Sequence, residues 1–216
     1  MKTSKLFHPS SRPTGHGITI GTPRLYDLSA SLGFLGRRRH AYRQLLEAAG
    51  VHPGQRALDV GCGPGYLTRM LAESVGPTGS AVGIDAAPEM IDYASRKARG
   101  LSNCRFQAGG AESLPFGDAS FDVVVSSLMV HHLPDDLRLR SVGEMKRVLR
   151  AGGTLLLADF TIPKRGPWRV LGALHRPREM MHRLTALEPL VTEAGFDGLR
   201  SGDAPPWLHY VTARKP

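Results

Sequence analysis

Between residues 51 and 160, short apolar runs alternate with stretches whose apolar residues recur at helical spacing. The apolar segments at 56–60, 81–85, 105–108, 121–126 and 154–160 are bounded by clusters of Gly, Pro, Asn, Asp and Ser, the punctuation expected of strands. Segments 66–74, 88–98 and 135–149 read as helices. Pro88 suits a first helical turn, and Gly76-Pro77 and Gly152-Gly153 suit helix stops. The last run, Thr154-Leu155-Leu156-Leu157-Ala158-Asp159-Phe160, is almost wholly apolar, as in a strand covered on both faces. Strand–helix alternation at this rhythm predicts a parallel sheet, and right-handed crossovers put helices on both its faces.

The flanks follow other patterns. Residues 1–23, rich in Pro, Ser, Thr, Gly and His, read as a mobile or loosely docked arm. Residues 32–49 read as a helix, with Leu35, Ala41, Leu45, Leu46 and Ala49 on one side and Gly50 as its stop. Beyond 160 the rhythm breaks. Residues 161–183 hold Pro163, Gly166, Pro167 and Pro177 among six Lys/Arg and read as an insertion. A helix near 185–194 and two strands near 198–201 and 207–213 follow, the strands separated by 202–206 as in an antiparallel hairpin. The expected architecture is α/β: a Rossmann-like, doubly wound, mostly parallel seven-stranded sheet with an antiparallel C-terminal hairpin. Sheets of this kind bind ligands beyond the C-terminal strand ends, where the strand order reverses.

Composition narrows the picture. The chain has 216 residues, 41% of them hydrophobic, which suits one folded domain. Its net charge of +9 is uneven: residues 1–56 carry nine Lys/Arg against two Asp/Glu, 57–160 ten against twelve, and 161–216 nine against five. A basic periphery suits an anionic small molecule, a membrane surface or nucleic acid, although an arginine-rich solvated surface explains it equally. Aromatic residues are 6% and are not interleaved with the charges, so a nucleic-acid partner is not expected. Cys62 and Cys104 form no metal-ligand pattern. Without an apolar leader region or a membrane-spanning run, the expectation is a soluble cytoplasmic protein.

The strongest local chemistry is Ala57-Leu58-Asp59-Val60-Gly61-Cys62-Gly63-Pro64-Gly65. An apolar strand ends in an acid, three glycines alternate, and a helix begins. Glycines let backbone approach a ligand closely, and a helix N-terminus favours an anion, so the loop suits the carboxylate of a bound amino acid. Asp59 suits its ammonium, directly or through water. A dinucleotide fold would show G-x-G-x-x-G here, and a carboxylate at Asp59 would repel a diphosphate. Asp85 closes the second strand twenty residues after Gly65, where a carboxylate accepts both hydroxyls of a ribose. It could equally serve the helix start that Pro88 opens. His131 and His132 follow the fourth strand. Either could act as a general base, or pack against the following loop, and no third metal ligand stands at motif spacing.

Taken together, LDVGCGPG (58–65), VGIDAAPEMIDYA (82–94), QAGGAESLPFGDASFDVVVSSLMVHHL (107–133) and EMKRVLRAGGTLLLADF (144–160) resemble the class I methyltransferases that depend on S-adenosylmethionine, close to the ubiquinone/menaquinone biosynthesis (type 11) kind. The resemblance implies methyl transfer to an O, N or C nucleophile of a small-molecule acceptor, with S-adenosylhomocysteine as product. It implies that Asp59, Gly61, Gly63 and Gly65 hold the methionine end, Asp85 the ribose, and Ala86, Met90, Ala111 and Glu112 the surroundings of the adenine. Ser126 and Ser127 would face the transfer centre. Tyr26 resembles an N-terminal tyrosine that closes over the cofactor, making residues 1–50 a lid on a cofactor-binding domain at 51–216. The insertion would shape the acceptor pocket with Trp168, His175, Arg176, Arg178, Met180, Met181 and His182. The family commonly has Gly-Asp-Ala where this chain has Gly109-Gly110-Ala111, so an adenine contact must come from backbone or another side chain. An RNA- or protein-directed methyltransferase, a non-methylating regulator or cyclase on the same fold, and a nicotinamide dehydrogenase are the competing readings.

Overall fold

The computed structural model describes residues 11–14, 17–20, 22–34, 36–161, 187–206 and 208–216. A two-stranded antiparallel hairpin comes first, β1 (Ser11–Thr14) and β2 (Gly17–Ile20). Helices α1 (Pro23–Gly33) and α2 (Arg38–Ala48) lead into the main sheet. There β3 (Arg56–Val60), α3 (Tyr66–Val75), β4 (Ser80–Asp85), α4 (Pro88–Lys97), β5 (Cys104–Ala108) and β6 (Phe121–Ser127) alternate. Helix α5 (Asp135–Val148), β7 (Leu149–Phe160), α6 (Leu187–Glu193), β8 (Asp197–Ala204) and β9 (Leu208–Arg214) complete the chain.

The seven strands lie in the order β5-β4-β3-β6-β7-β9-β8. β3 pairs in parallel with both β4 and β6, β4 with β5, and β6 with β7. The hairpin β8–β9 adds antiparallel to β7. This is the expected mostly parallel, doubly wound sheet with its antiparallel end. Successive strand residues point to opposite faces, so each central strand feeds two cores. Ala57, Val123, Val125 and Leu156 join Leu45, Leu71 and Val75 from α2 and α3 on one side. Leu58, Val124, Leu155 and Leu157 join Val142, Met145, Leu187 and Val191 from α5 and α6 on the other.

The structure departs from the sequence reading in three places. Residues 1–23 hold a hairpin, and α1 begins at Pro23, so residues 32–49 are not one helix. Helix α1 exposes its leucines Leu25, Leu28 and Leu32, while Asp27 ties it to the body. A hydrophobic pattern does not register a helix that docks through polar groups. Strand β7 starts at Leu149, immediately after α5, and passes through Gly152-Gly153 with a shift in register against β6. The two glycines that read as a helix stop therefore sit in a bulged strand, where Lys215 exchanges backbone bonds with both (2.8 and 3.0 Å). Of the hairpin strands, β8 is longer than predicted, and β9 begins and ends one residue later. The insertion residues Trp168, His175, Arg176, Arg178, Met180, Met181 and His182 lie outside the described residues. No described helix is long and apolar enough to cross a membrane.

One side chain locks the turn that carries the chain from β5 to β6. Arg147 of α5 donates to the carbonyls of Leu114 (3.0 Å) and Phe116 (2.8 Å) and to the carboxylates of Glu144 and Asp118. Glu144 in turn accepts from the Leu114 amide at 2.9 Å. Arg147→Ala is expected to lower stability by about 1–3 kcal/mol through the lost charged hydrogen bonds. Thermal melts of the two proteins measure it, and an unchanged Tm would contradict the role.

Candidate active site

Because β3 to β7 run parallel, their C-terminal ends share one edge of the sheet. From β3 the chain moves outward through β4 to β5, then returns to β6 and moves outward the other way to β7. The crevice of such a reversal opens between β3 and β6, and the glycine loop lies at its floor. Gly61, Gly63 and Gly65 all have positive φ (73°, 51° and 72°), which glycine adopts without strain. Two of them are also packed from outside. A Cβ at Gly61 would meet Met129 at 2.2 Å, and one at Gly65 would meet Phe106 at 2.6 Å and Ala94 at 2.8 Å. Gly63 faces only the Tyr26 ring, 3.9 Å from where its Cβ would stand. The loop is thus held on two sides and open at Gly63, beside the first turn of α3, whose amides lack intrahelical acceptors.

Asp85 cross-links this floor. One carboxylate oxygen accepts from the Gly63 amide (2.8 Å), and the other from the Ala87 amide (2.9 Å) at the start of α4. Asp85 therefore braces the helix start, as one of the two sequence readings has it. Burial raises its pKa, opposed by those two amides. A carboxylate has about four acceptor sites, so both oxygens keep capacity for the hydroxyls of a ribose. Ala86 is half-buried beside it, and Met90 is buried in the first turn of α4. Ala111 and Glu112 follow β5, whose end is tied to Asp85 by the Gly109 amide (3.0 Å).

Asp59 lies deeper. It is 1% exposed and accepts from the Thr68 hydroxyl at 2.6 Å. Burial, with the nearby Asp85 charge, pushes its pKa up to about 7 against the Thr68 bonds. Ser126 departs from its expected place. It is fully buried, and its hydroxyl donates to the Val60 carbonyl (2.8 Å), so it links β6 to β3 and does not face the transfer centre. Ser127 is half-buried, and its hydroxyl is buried beside that of Tyr42.

The two histidines separate. His131 Nδ1 lies 2.7 Å from Asp159 Oδ1, and the His131 amide donates to Asp159 Oδ2 at 3.2 Å. Asp159 is buried at the end of β7 and also accepts from the Phe160 amide at 2.8 Å. A carboxylate is an acceptor only, so Nδ1 carries a proton, and in the neutral imidazole Nε2 is the acceptor nitrogen. The His132 ring lies against that of His131, centroids 4.0 Å apart and planes tilted by 42°.

Tyr26 reaches over the glycine loop from α1. Burial raises its hydroxyl pKa, with Tyr42, Asp85 and Asp159 adding to the rise and Arg38 opposing it. Asp27, beside it, pairs with Arg38 of α2 at 2.6 Å and accepts from the Tyr93 hydroxyl of α4 at 3.3 Å. The Arg38 guanidinium is nearly buried over the Tyr66 ring, 4.1 Å from its centroid. Sequence reasoning missed Asp159, Asp27, Arg38 and Tyr42. For Asp159 a signal existed: it ends an apolar strand, as Asp59 and Asp85 do. Among the described residues, no group of three His, Cys, Asp or Glu could hold a metal ion.

Residues 57–153 match the family described as Methyltransferase domain. The demethylmenaquinone methyltransferase of Staphylococcus aureus (strain JH9) is 35% identical over 160 residues, covering 74% of this chain and 66% of that protein. The chain spans 44% and 66% of the lengths of the first curated relatives it matches. A SAM-dependent methyltransferase from Aquifex aeolicus superposes with a TM-score of 0.67 at 24% identity, over 81% of this chain and 89% of that one. The [4+2]-cyclase SpnF superposes with a TM-score of 0.66 at 21% identity, over 82% and 81%. Fold and comparisons identify an α/β methyltransferase domain. Residues 57–153 belong to the methyltransferase domain family that they match, on the class I fold.

The buried Asp59 has a consequence for stability. Its folded pKa of about 7 lies above the ordinary carboxylate value near 3.9. Below about pH 4 folded and unfolded chains both hold this proton; between about 4 and 7 only the folded chain does. Stability therefore falls as pH rises through that window and levels off above it. Asp59→Asn should flatten this limb, as denaturant unfolding at a series of pH values would measure.

Proposed function

We propose that the chain uses S-adenosylmethionine to methylate a small molecule bearing an O, N or acidic C nucleophile, and releases S-adenosylhomocysteine. The observation that carries this reading is the Asp85 carboxylate, bonded to the Gly63 amide and standing beside a glycine loop whose one open face is Gly63. The residues fit the cofactor's donors and acceptors: loop amides for its carboxylate, Asp59 beneath the loop for its cationic amine, Asp85 for its ribose, and the turn at Ala111 for its base. When bound, S-adenosylmethionine supplies a methyl already activated on a sulfonium sulfur. What remains for the protein is to align the acceptor and exclude water. Residues 1–50 serve as the lid, with Tyr26 over Gly63 and Asp27 latched to Arg38.

His131 takes the acceptor's proton at Nε2, and Asp159 is the positioning residue that holds Nδ1–H. This favours an acceptor with a proton to lose. Demethylmenaquinone, named in a relative's activity, is the first acceptor to try alongside simple phenols and amines. A second reading comes from the likeness to a [4+2]-cyclase: a protein that binds the cofactor without transferring its methyl.

Calorimetry with S-adenosylhomocysteine tests the binding reading. Asp85→Ala should weaken affinity by at least about tenfold, through loss of charged hydrogen bonds. Undiminished affinity would overturn the ribose assignment. Cofactor binding with no S-adenosylhomocysteine formed from any acceptor would favour the second reading.

With an acceptor in hand, His131→Gln should lower kcat by about 10²–10³ without changing S-adenosylhomocysteine affinity. Asp159→Asn should shift the pH–rate profile, and His132→Gln should leave kcat largely intact. A larger loss at His132 than at His131 would reverse the assignment.

A further inference from the structure

Gly110 stands in the turn after β5, one residue beyond the backbone bond that joins Gly109 to Asp85. Its φ lies outside the left-handed range, so backbone conformation does not require glycine there. Space does. A Cβ at this position would lie 2.3 Å from Glu112 Oε1 and 2.7 Å from both Cδ and Oε2. The Glu112 carboxylate has folded back and fills the place of the missing side chain. It is only 9% exposed, so its charge is directed away from bulk water.

This position bears on the nucleoside bound at Asp85. β5 is the next strand out, and the Gly109 amide bonds the Asp85 carbonyl, so the 109–112 turn stands beside Asp85 and is within reach of a base on a ribose held there. A carboxylate accepts hydrogen bonds and donates none. It therefore favours a base edge that carries an amine over one that carries hydrogen or a carbonyl. Resting on the proposed function above, we infer that Glu112 accepts a hydrogen bond from the exocyclic amine of the adenine, and that Gly110 is the positioning residue that makes room for its carboxylate. The two positions act together, since the acceptor comes from 112 because 110 has no side chain.

The test compares two ligands by calorimetry on the full chain. One is S-adenosylhomocysteine. The other is its 6-deamino counterpart, in which hydrogen replaces the amine. Wild type should bind the amine-bearing ligand about tenfold or more tightly over the deamino form. Glu112→Ala should remove that preference by weakening the adenine ligand alone, and Glu112→Gln, which keeps an acceptor oxygen, should restore part of it. Gly110→Ala should show the same selective loss as Glu112→Ala, and the double variant should add little to either. Equal binding of both ligands by wild type, or an equal loss for both in Glu112→Ala, would overturn the inference while leaving the cofactor reading standing. Binding of neither ligand by wild type would overturn the cofactor reading itself, and this one with it.

Discussion

The Asp85 carboxylate joins two chain segments that local structure alone would leave apart: the glycine loop after β3 and the start of α4 after β4. Each oxygen takes one backbone amide, at 2.8 and 2.9 Å. That arrangement sets the height of Gly63 relative to the neighbouring strand end. Everything placed around the cleft is measured from there, since the Gly109 amide bonds the Asp85 carbonyl and carries the registration on to the turn at Glu112. Without the cross-link, the loop would still have its glycine conformations, but no fixed distance to the neighbouring strand end.

Three acids end three strands of the same sheet, and their surroundings give them different work. Asp59 is sealed below the loop and held by Thr68, Asp85 is shared between backbone amides at the rim, and Asp159 is turned to His131. The Asp85 charge adds to the rise in the pKa of Asp59. A cleft with this much buried acid favours cationic ligands, because a cation relieves repulsion that burial would otherwise leave in place. An ammonium and a sulfonium on one molecule suit it. The excess positive charge of the chain lies in segments 1–56 and 161–216.

Helix α1 is held by different forces from the body. Helix α1 leaves its leucines exposed and docks through Tyr26 and Asp27, one over Gly63 and one paired with Arg38. A helix held by a few polar contacts opens more readily than one held by a buried apolar stripe.

The alternation of apolar runs and helical spacings was enough to determine the parallel core, its two-sided burial and the antiparallel end. Those features follow from periodicity, which is a local property of the chain. The glycine loop with Asp59 and Asp85 was legible for the same reason: strand, acid, glycines and helix are consecutive. Tertiary packing alone decided which groups meet across the sheet. It paired Asp159 with His131 over a separation of 28 residues, and it turned Ser126 inward to Val60 and Ser127 toward Tyr42. It also brought Asp27 to Arg38 and filled the space at Gly110 with Glu112. Side-chain direction and cross-strand register, not residue type, settle such contacts, and neither is written in the order of residues along one segment.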